Sequence, residues 1–413
     1  MNIYKIDGQQ IDSIELKCLV VSRGVKIDKA VYKTCEGSTR LSMNPLCCNS
    51  FIFSDGTIAQ LTDLGFHLRL LSGMLSWNHL KLLKYASDLV TPFSLKLLTR
   101  TETTAGGRKI GLFHRNAQGR DEFLDEVSFP PPSEFYRQRT SGGTPFMGNA
   151  VIQGLDWVSF PCLWPCEYAA AGKTCEFCFS GADFETRAKK GKPQPEPLPA
   201  RDVADVVAYA VREVGVRHLQ ITGGSTFDGA RESGYIMKYL ETLADRHDAT
   251  LAGEKLLYIT PPAEVTLLDE YMRLGAARIA CSLEIWDEKL AEAVTAGKMV
   301  FTTRARHLRA LEYIAAKYGP ARSFSNFIIG LESFETLAAG ARHLAERGIL
   351  PSASVWMPMG RPVQGSMKPP DLDYYRRTKE LFATLYTTYR LEPVNTSGMH
   401  VCIGRDIWNY AQG

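Results

Sequence analysis

Cys162, Cys166, Cys175 and Cys178 fall within seventeen residues, in the run PCLWPCEYAAAGKTCEFCF. Thiolates are soft ligands for transition metals. Three of them on one short loop can hold three irons of a [4Fe–4S] cluster and leave the fourth iron open to the amino and carboxylate groups of a small molecule. Four of them would equally satisfy a structural zinc ion. The stretch Ala169, Ala170, Ala171, Gly172 is small enough to wrap a cluster, and Phe179 is placed to shield it from water.

The elements around this loop decide between those chemistries. An apolar run, Val151 to Phe160, precedes it and predicts a buried strand. After a Pro/Lys-rich linker, Arg187–Pro199, a helix is predicted from Asp202 to Val214, because Val203, Val206, Val207, Ala210, Val211 and Val214 share one face. Strands are then predicted at His218–Thr222, Lys255–Thr260, Arg278–Trp286, Ser323–Leu331 and Ala353–Met357. Helices between them fall at about 235–246, 264–274, 304–317 and 334–347, with a last one over about 372–389. Strands alternating with helices imply a parallel sheet with right-handed crossovers, as a doubly wound sheet or an incomplete barrel. Both place ligands at the C-terminal ends of the strands.

Residues 1–148 read as a separate, small α+β domain. Lys17–Ser22 and Lys109–His114 are candidate strands there, Leu61–Leu89 has helical spacing, and Cys47-Cys48 with Cys35 or Cys18 is a weak candidate metal site. Residues 149–390 form the strand–helix series, and 391–413 a tail that closes it.

Composition bounds the function. The chain has 413 residues, 45% hydrophobic and 23% charged, enough for a large core, and its net charge of +3 is too mild to argue for nucleic acid. No run is long and apolar enough for a membrane helix. The polar start MNIYKIDGQQIDSIE lacks the core of an export signal, and ten cysteines then suggest a reducing, cytoplasmic setting.

With the cysteine loop on the first strand of such a series, residues 150–390 resemble the radical S-adenosylmethionine (SAM) superfamily. The family's usual spacing is C-x3-C-x2-C. Here Cys175-Glu176-Phe177-Cys178 matches the second half, while eight residues separate Cys166 from Cys175 and twelve separate Cys162 from it. This wider layout is similar to the cysteine loop of the catalytic subunit of Elongator. That likeness implies Cys166, Cys175 and Cys178 as ligands, with Cys162 in place of Cys166 as the alternative.

The resemblance implies a fold and a site. The fold is a partial (β/α)6 TIM-like barrel. The cofactors are a [4Fe–4S] cluster and SAM. Phe177 lies beside the cluster. Gly223 and Gly224, with Ser225 where the family has Glu, stand where the backbone approaches the SAM methionine. Ser282 and Glu284, alternating on the fourth strand, would face the ribose or carboxylate. Arg304, with Arg306, could pair the carboxylate, and Ile328 and Met357 would flank adenine. The implied chemistry is reductive cleavage of SAM to a 5′-deoxyadenosyl radical that takes hydrogen from a small-molecule or cofactor-precursor substrate. The electron would come from a flavodoxin or ferredoxin. RNA modification is the second reading, disfavoured by the lack of basic patches. A non-catalytic zinc protein is the third. There is no Asp-x-His-x-x-Gly cobalamin signature. Cys281, Cys402 and His400 are expected to be structural.

Overall fold

The computed structural model describes residues 1–28, 30–31, 50–61, 91–98, 109–130, 134–163, 166–178, 184, 187–193, 196–227, 229–357 and 368–413. The candidate helix over 61–89, Cys35, Cys47, Cys48 and Phe179 lie outside these residues, apart from Leu61.

The chain opens with a hairpin, β1 (Ile3–Ile6) and β2 (Gln9–Asp12), that leads into helix α1 (Ser13–Arg23). Lys17–Ser22 is therefore helical, not a strand. Asp12 and Glu15 form a reciprocal capping box at its start. Residues 13–22 are buried on every side, which erases the one-faced periodicity that marks a surface helix. Next come β3 (Lys26–Ile27), β4 (Ser50–Ile52), β5 (Ile58–Gln60), β6 (Phe93–Leu97), β7 (Ile110–Arg115) and β8 (Asp121–Val127). β3, β6, β7 and β8 make one sheet and β4–β5 a hairpin. The strand predicted at 109–114 is β7.

The run 151–160 is a hairpin rather than one strand. β9 (Val151–Gln153) turns at Gly154, whose φ is +57, and returns antiparallel as β10 (Trp157–Leu163). A Cβ on Gly154 would lie 2.2 Å from the Gly398 carbonyl oxygen, so the turn is pressed against the C-terminal tail. The series continues through α2 (Glu167–Ala170), α3 (Ala200–Tyr209), β11 (His218–Gly223), α4 (Ala230–Ala244) and β12 (Lys255–Tyr258). It goes on through α5 (Leu267–Arg273), β13 (Arg278–Ala280), α6 (Glu288–Val294), α7 (Arg304–Tyr318) and β14 (Ser323–Ile329). It ends with α8 (Phe334–Ala345), β15 (Leu350–Val355), α9 (Leu372–Tyr389) and α10 (Gly404–Ala411).

Strands β10 to β15 are parallel and stand in sequence order, with β9 antiparallel at one edge. A doubly wound sheet would reverse its strand order at a switch point. Sequential order is the winding of a barrel, here a partial (β/α)6 one. On the far edge, Val355 and Ile403 donate to Val401 and Ala353, so the tail pairs antiparallel with β15. The tail also reaches the other edge, where Asp156 accepts from the Thr396 hydroxyl and the Ser397 amide.

One hydrophobic core runs from Tyr4 through α1 and the barrel to Ile407. Polar clasps fix α1 in it. Lys379 of α9 bonds Asp12 and Glu15. Lys17, fully buried, donates to Met399 O (2.6 Å), Cys402 O (3.0 Å) and Asp406 Oδ2 (2.7 Å). Among the described residues no helix is long and apolar enough to cross a membrane.

Candidate active site at the C-terminal ends of the barrel strands

The cysteine loop leaves the end of β10 and lies across the ends of its neighbours. Its first fastening is to the segment after β11. The Ser225 amide donates to Cys166 Sγ at 3.3 Å, and Glu167 N donates to Ser225 O at 2.9 Å. The fit leaves no room for a side chain at the glycine pair. A Cβ on Gly224 would sit 2.3 Å from Cys166 Cα, and one on Gly223 2.6 Å from Leu163 O. The sequence placed this pair for approach to a ligand; in the fold its smallness already seats the cysteine loop.

The second fastening is to α6, where Glu176 N donates to Val294 O at 2.8 Å. Phe177 packs into a small cluster with Ile285, Val294, Leu331 and Trp356, to which Ile328 also contributes. One aromatic side chain thereby ties the loop to the ends of β13, β14 and β15.

The four cysteines divide. Cys162 is buried in the main core, near Glu232 of α4, and burial pushes its thiol far up. Cys166, Cys175 and Cys178 are half-buried. Burial raises Cys175, and the charges it then feels are Lys298, Cys178, Glu284 and Cys166. Burial likewise raises Cys166, against backbone donors and Lys298.

Among the described residues no three His, Cys, Asp or Glu side chains converge on a single ion. Tetrahedral zinc needs thiolates about 3.8 Å apart. A four-iron cube spreads its ligands more widely, and three cysteines on one loop supply the three thiolates it takes without Cys162.

Ser282 and Glu284 lie past the end of the fourth barrel strand, which stops at Ala280 rather than continuing to Trp286. Glu284 makes a single bridge to Phe327 at φ +69, in the left-handed region. Its carboxylate accepts from Lys298 Nζ at 2.8 Å and Asn326 Nδ2 at 3.2 Å. Lys298 also donates to Ser282 O at 2.7 Å, and Ser354 Oγ donates to Asn326 Oδ1 at 2.9 Å. Burial works against the charge on Lys298, but Glu284 and Cys175 hold its pKa above the ordinary value.

This polar chain was partly hidden from sequence reasoning. Lys298 is an isolated cation in the apolar run VTAGKMVF, and Asn326 and Ser354 are polar residues in strands. Those were the available signals.

Arg304 is engaged elsewhere. Its guanidinium stacks 3.8 Å over the Trp286 ring and donates to the Trp286 carbonyl at 2.7 Å. Met357 packs partly buried against the main core. Cys281 is buried and Cys402 half-buried, with its Sγ 3.4 Å from Ser352 Oγ. His400 is buried and pushed down to about 4 by burial.

Comparison with known proteins bears on what such a site does. Residues 171–341 match the family model of the radical SAM superfamily. Over 317 residues the chain is 23% identical to bacteriochlorophyllide c C-7(1)-hydroxylase of Chlorobaculum limnaeum, across 74% of this chain and 77% of that protein. Coproporphyrinogen III oxidase of Escherichia coli, a radical SAM enzyme, is 14% identical with a TM-score of 0.37. That match covers 57% of this chain, which spans only 53% of the oxidase. A radical SAM methyltransferase from Sphaerobacter thermophilus is 14% identical with a TM-score of 0.40, over 77% of this chain and 86% of that one. The matched stretch runs from the middle of the cysteine loop through the fifth parallel strand, so the chain carries a radical SAM domain at residues 171–341 and is an enzyme of a [4Fe–4S] cluster and SAM.

Proposed function

We propose that this enzyme abstracts a hydrogen atom from a small-molecule or cofactor-precursor substrate held at the barrel mouth, with Cys166, Cys175 and Cys178 as the cluster ligands. The observation that carries the reading is the division of the cysteines: Cys166, Cys175 and Cys178 stay half-buried on the loop at the strand ends, while Cys162 is withdrawn into the core. When bound, the reduced cluster supplies the electron that cleaves SAM to methionine and a 5′-deoxyadenosyl radical. A flavodoxin or ferredoxin is the proposed source of that electron.

The chain's own residues hold and shield. Gly224 and the Ser225 backbone fix Cys166. Phe177 seals the loop onto the strand ends. Glu284, Ser282 and Lys298 present hydrogen-bonding groups for SAM. Phe324, Asn326 and Ile328 alternate along β14, with Tyr258 of β12 packed edge to face on Phe324, and offer the substrate a wall of mixed polarity. A closed, water-poor mouth favours transfer of hydrogen from substrate over side reactions. The likeness to an enzyme whose name gives a bacteriochlorophyllide as substrate supports a cofactor precursor. Zinc binding by four cysteines loses support with Cys162 withdrawn.

The test is anaerobic reconstitution, reduction with dithionite, and detection of 5′-deoxyadenosine from SAM. Cys166→Ala should lose iron and product, and Cys162→Ala should retain both. Deuterium from a labelled tetrapyrrole precursor should appear in the deoxyadenosine. A zinc-loaded chain that never cleaves SAM refutes the reading.

A further inference from the structure

Lys298 ligates nothing, yet several unusual local features combine to place it. It opens a π-turn, Lys298–Thr302, a form that recurs at functional sites. The preceding Gly297 is pressed into the cysteine loop: an added Cβ would lie 2.5 Å from Lys173 O and 2.5 Å from the Tyr168 ring. Its ion-pair partner Glu284 adopts a backbone conformation that non-glycine residues rarely hold. The side chains are only 12% and 13% exposed. The turn that carries Lys298 thus abuts the cysteine loop through Gly297, and the charges of Lys298 and Glu284 act on Cys175 in opposite senses.

We infer that the Lys298–Glu284 pair sets the reduction potential of the cluster, the lysine favouring the reduced state and the glutamate opposing it. The inference rests on the proposed ligand set. The physics is charge beside a redox centre that gains one electron, here from dithionite or a protein donor. In a poorly solvated site a unit charge acts strongly, and cluster potentials respond to nearby charge and hydrogen bonding.

The experiment is a potentiometric titration of the reconstituted cluster without SAM, followed by its electron paramagnetic resonance signal. At the poise where half the wild-type cluster is reduced, Lys298→Met should lower the ratio of reduced to oxidised cluster about tenfold, about 59 mV for one electron. Glu284→Gln should raise that ratio by a similar factor, and Lys298→Arg should keep the wild-type ratio. Opposite signs for the two halves of one ion pair are not what a merely structural role produces. If Lys298→Met does not take up iron, Glu284→Gln and Lys298→Arg still decide. Loaded variants whose potentials do not move, or move in the same direction, overturn the inference alone. A wild-type chain that takes up no iron overturns the ligand set and this inference with it.

Discussion

Gly224→Ala separates two roles that the sequence could not. The new methyl would lie 2.3 Å from Cys166 Cα, 2.5 Å from Cys166 N and 2.8 Å from Cys166 Cβ. Ordinary carbon contacts are about 3.5–4.0 Å, so the shortfall at Cα is about 1.2 Å. The obstructing atoms are mainly backbone, which no rotamer change can clear, and Cys166 must shift by about 1 Å. Metal–ligand distances tolerate about 0.2 Å. The variant should therefore fold, with overpacking costing about 1–3 kcal/mol, and lose most of its iron. The assay is iron and sulfide per chain after reconstitution, beside a thermal melt. Gly234→Ala is the control: it lies within α4 with nothing inside 4 Å of its new Cβ, and should keep iron and gain up to about 1 kcal/mol. If Gly224 serves only the approach of SAM, the alanine variant will hold full iron and fail only in SAM cleavage. Full iron with an unshifted melt would refute the steric argument.

Two further outcomes follow from buried charge. Lys17→Met strips three acceptors of their donor and leaves Asp406 poorly paired. A cost of about 3–5 kcal/mol is expected, seen as a lower urea midpoint, and an unchanged midpoint would show that α1 is not clasped to the tail. Stability should also fall on both sides of neutrality. Burial lifts Glu232 to about 8, so between the ordinary carboxyl value and about 8 the folded chain keeps a proton that the unfolded chain has released. Stability from this group declines as pH rises through that window. Burial holds His307 at about 3 and His400 at about 4. Below about 6.5 the unfolded histidines take up protons that the folded ones refuse, and stability declines as pH falls. Glu232→Gln should flatten the alkaline decline between about 6.5 and 8 in urea midpoints measured against pH; retention of the wild-type slope would refute the assignment.

The sequence by itself determined the barrel series and the loop it carries. Buried parallel strands are short apolar runs, and the helices between them have one buried face, so periodicity recovered strands β11, β12, β14 and β15, the start of β13 and most of the helices between them, while the short α6 escaped it. It failed where burial or turn chemistry overrode pattern. Helix α1 is buried all round and has no polar stripe to reveal it. Gly154 splits an apolar run into a hairpin because only a tight left-handed turn fits against Gly398. The strand predicted through Trp286 stops at Ala280, and Glu284 leaves regular geometry to meet Lys298.

The four cysteines look alike in sequence, and spacing could not rank Cys162 against Cys166. Tertiary structure separated them, because the end of β10 turns Cys162 toward Glu232 and Tyr239 in the helix layer and delivers Cys166 to Ser225. Lys298 stands 120 residues beyond Cys178. Its place beside the cysteine loop, against which Gly297 is pressed, exists only because crossovers bring successive strand ends together. Local pattern carries information about which element forms; which side chains share one small volume is set by how those elements wind.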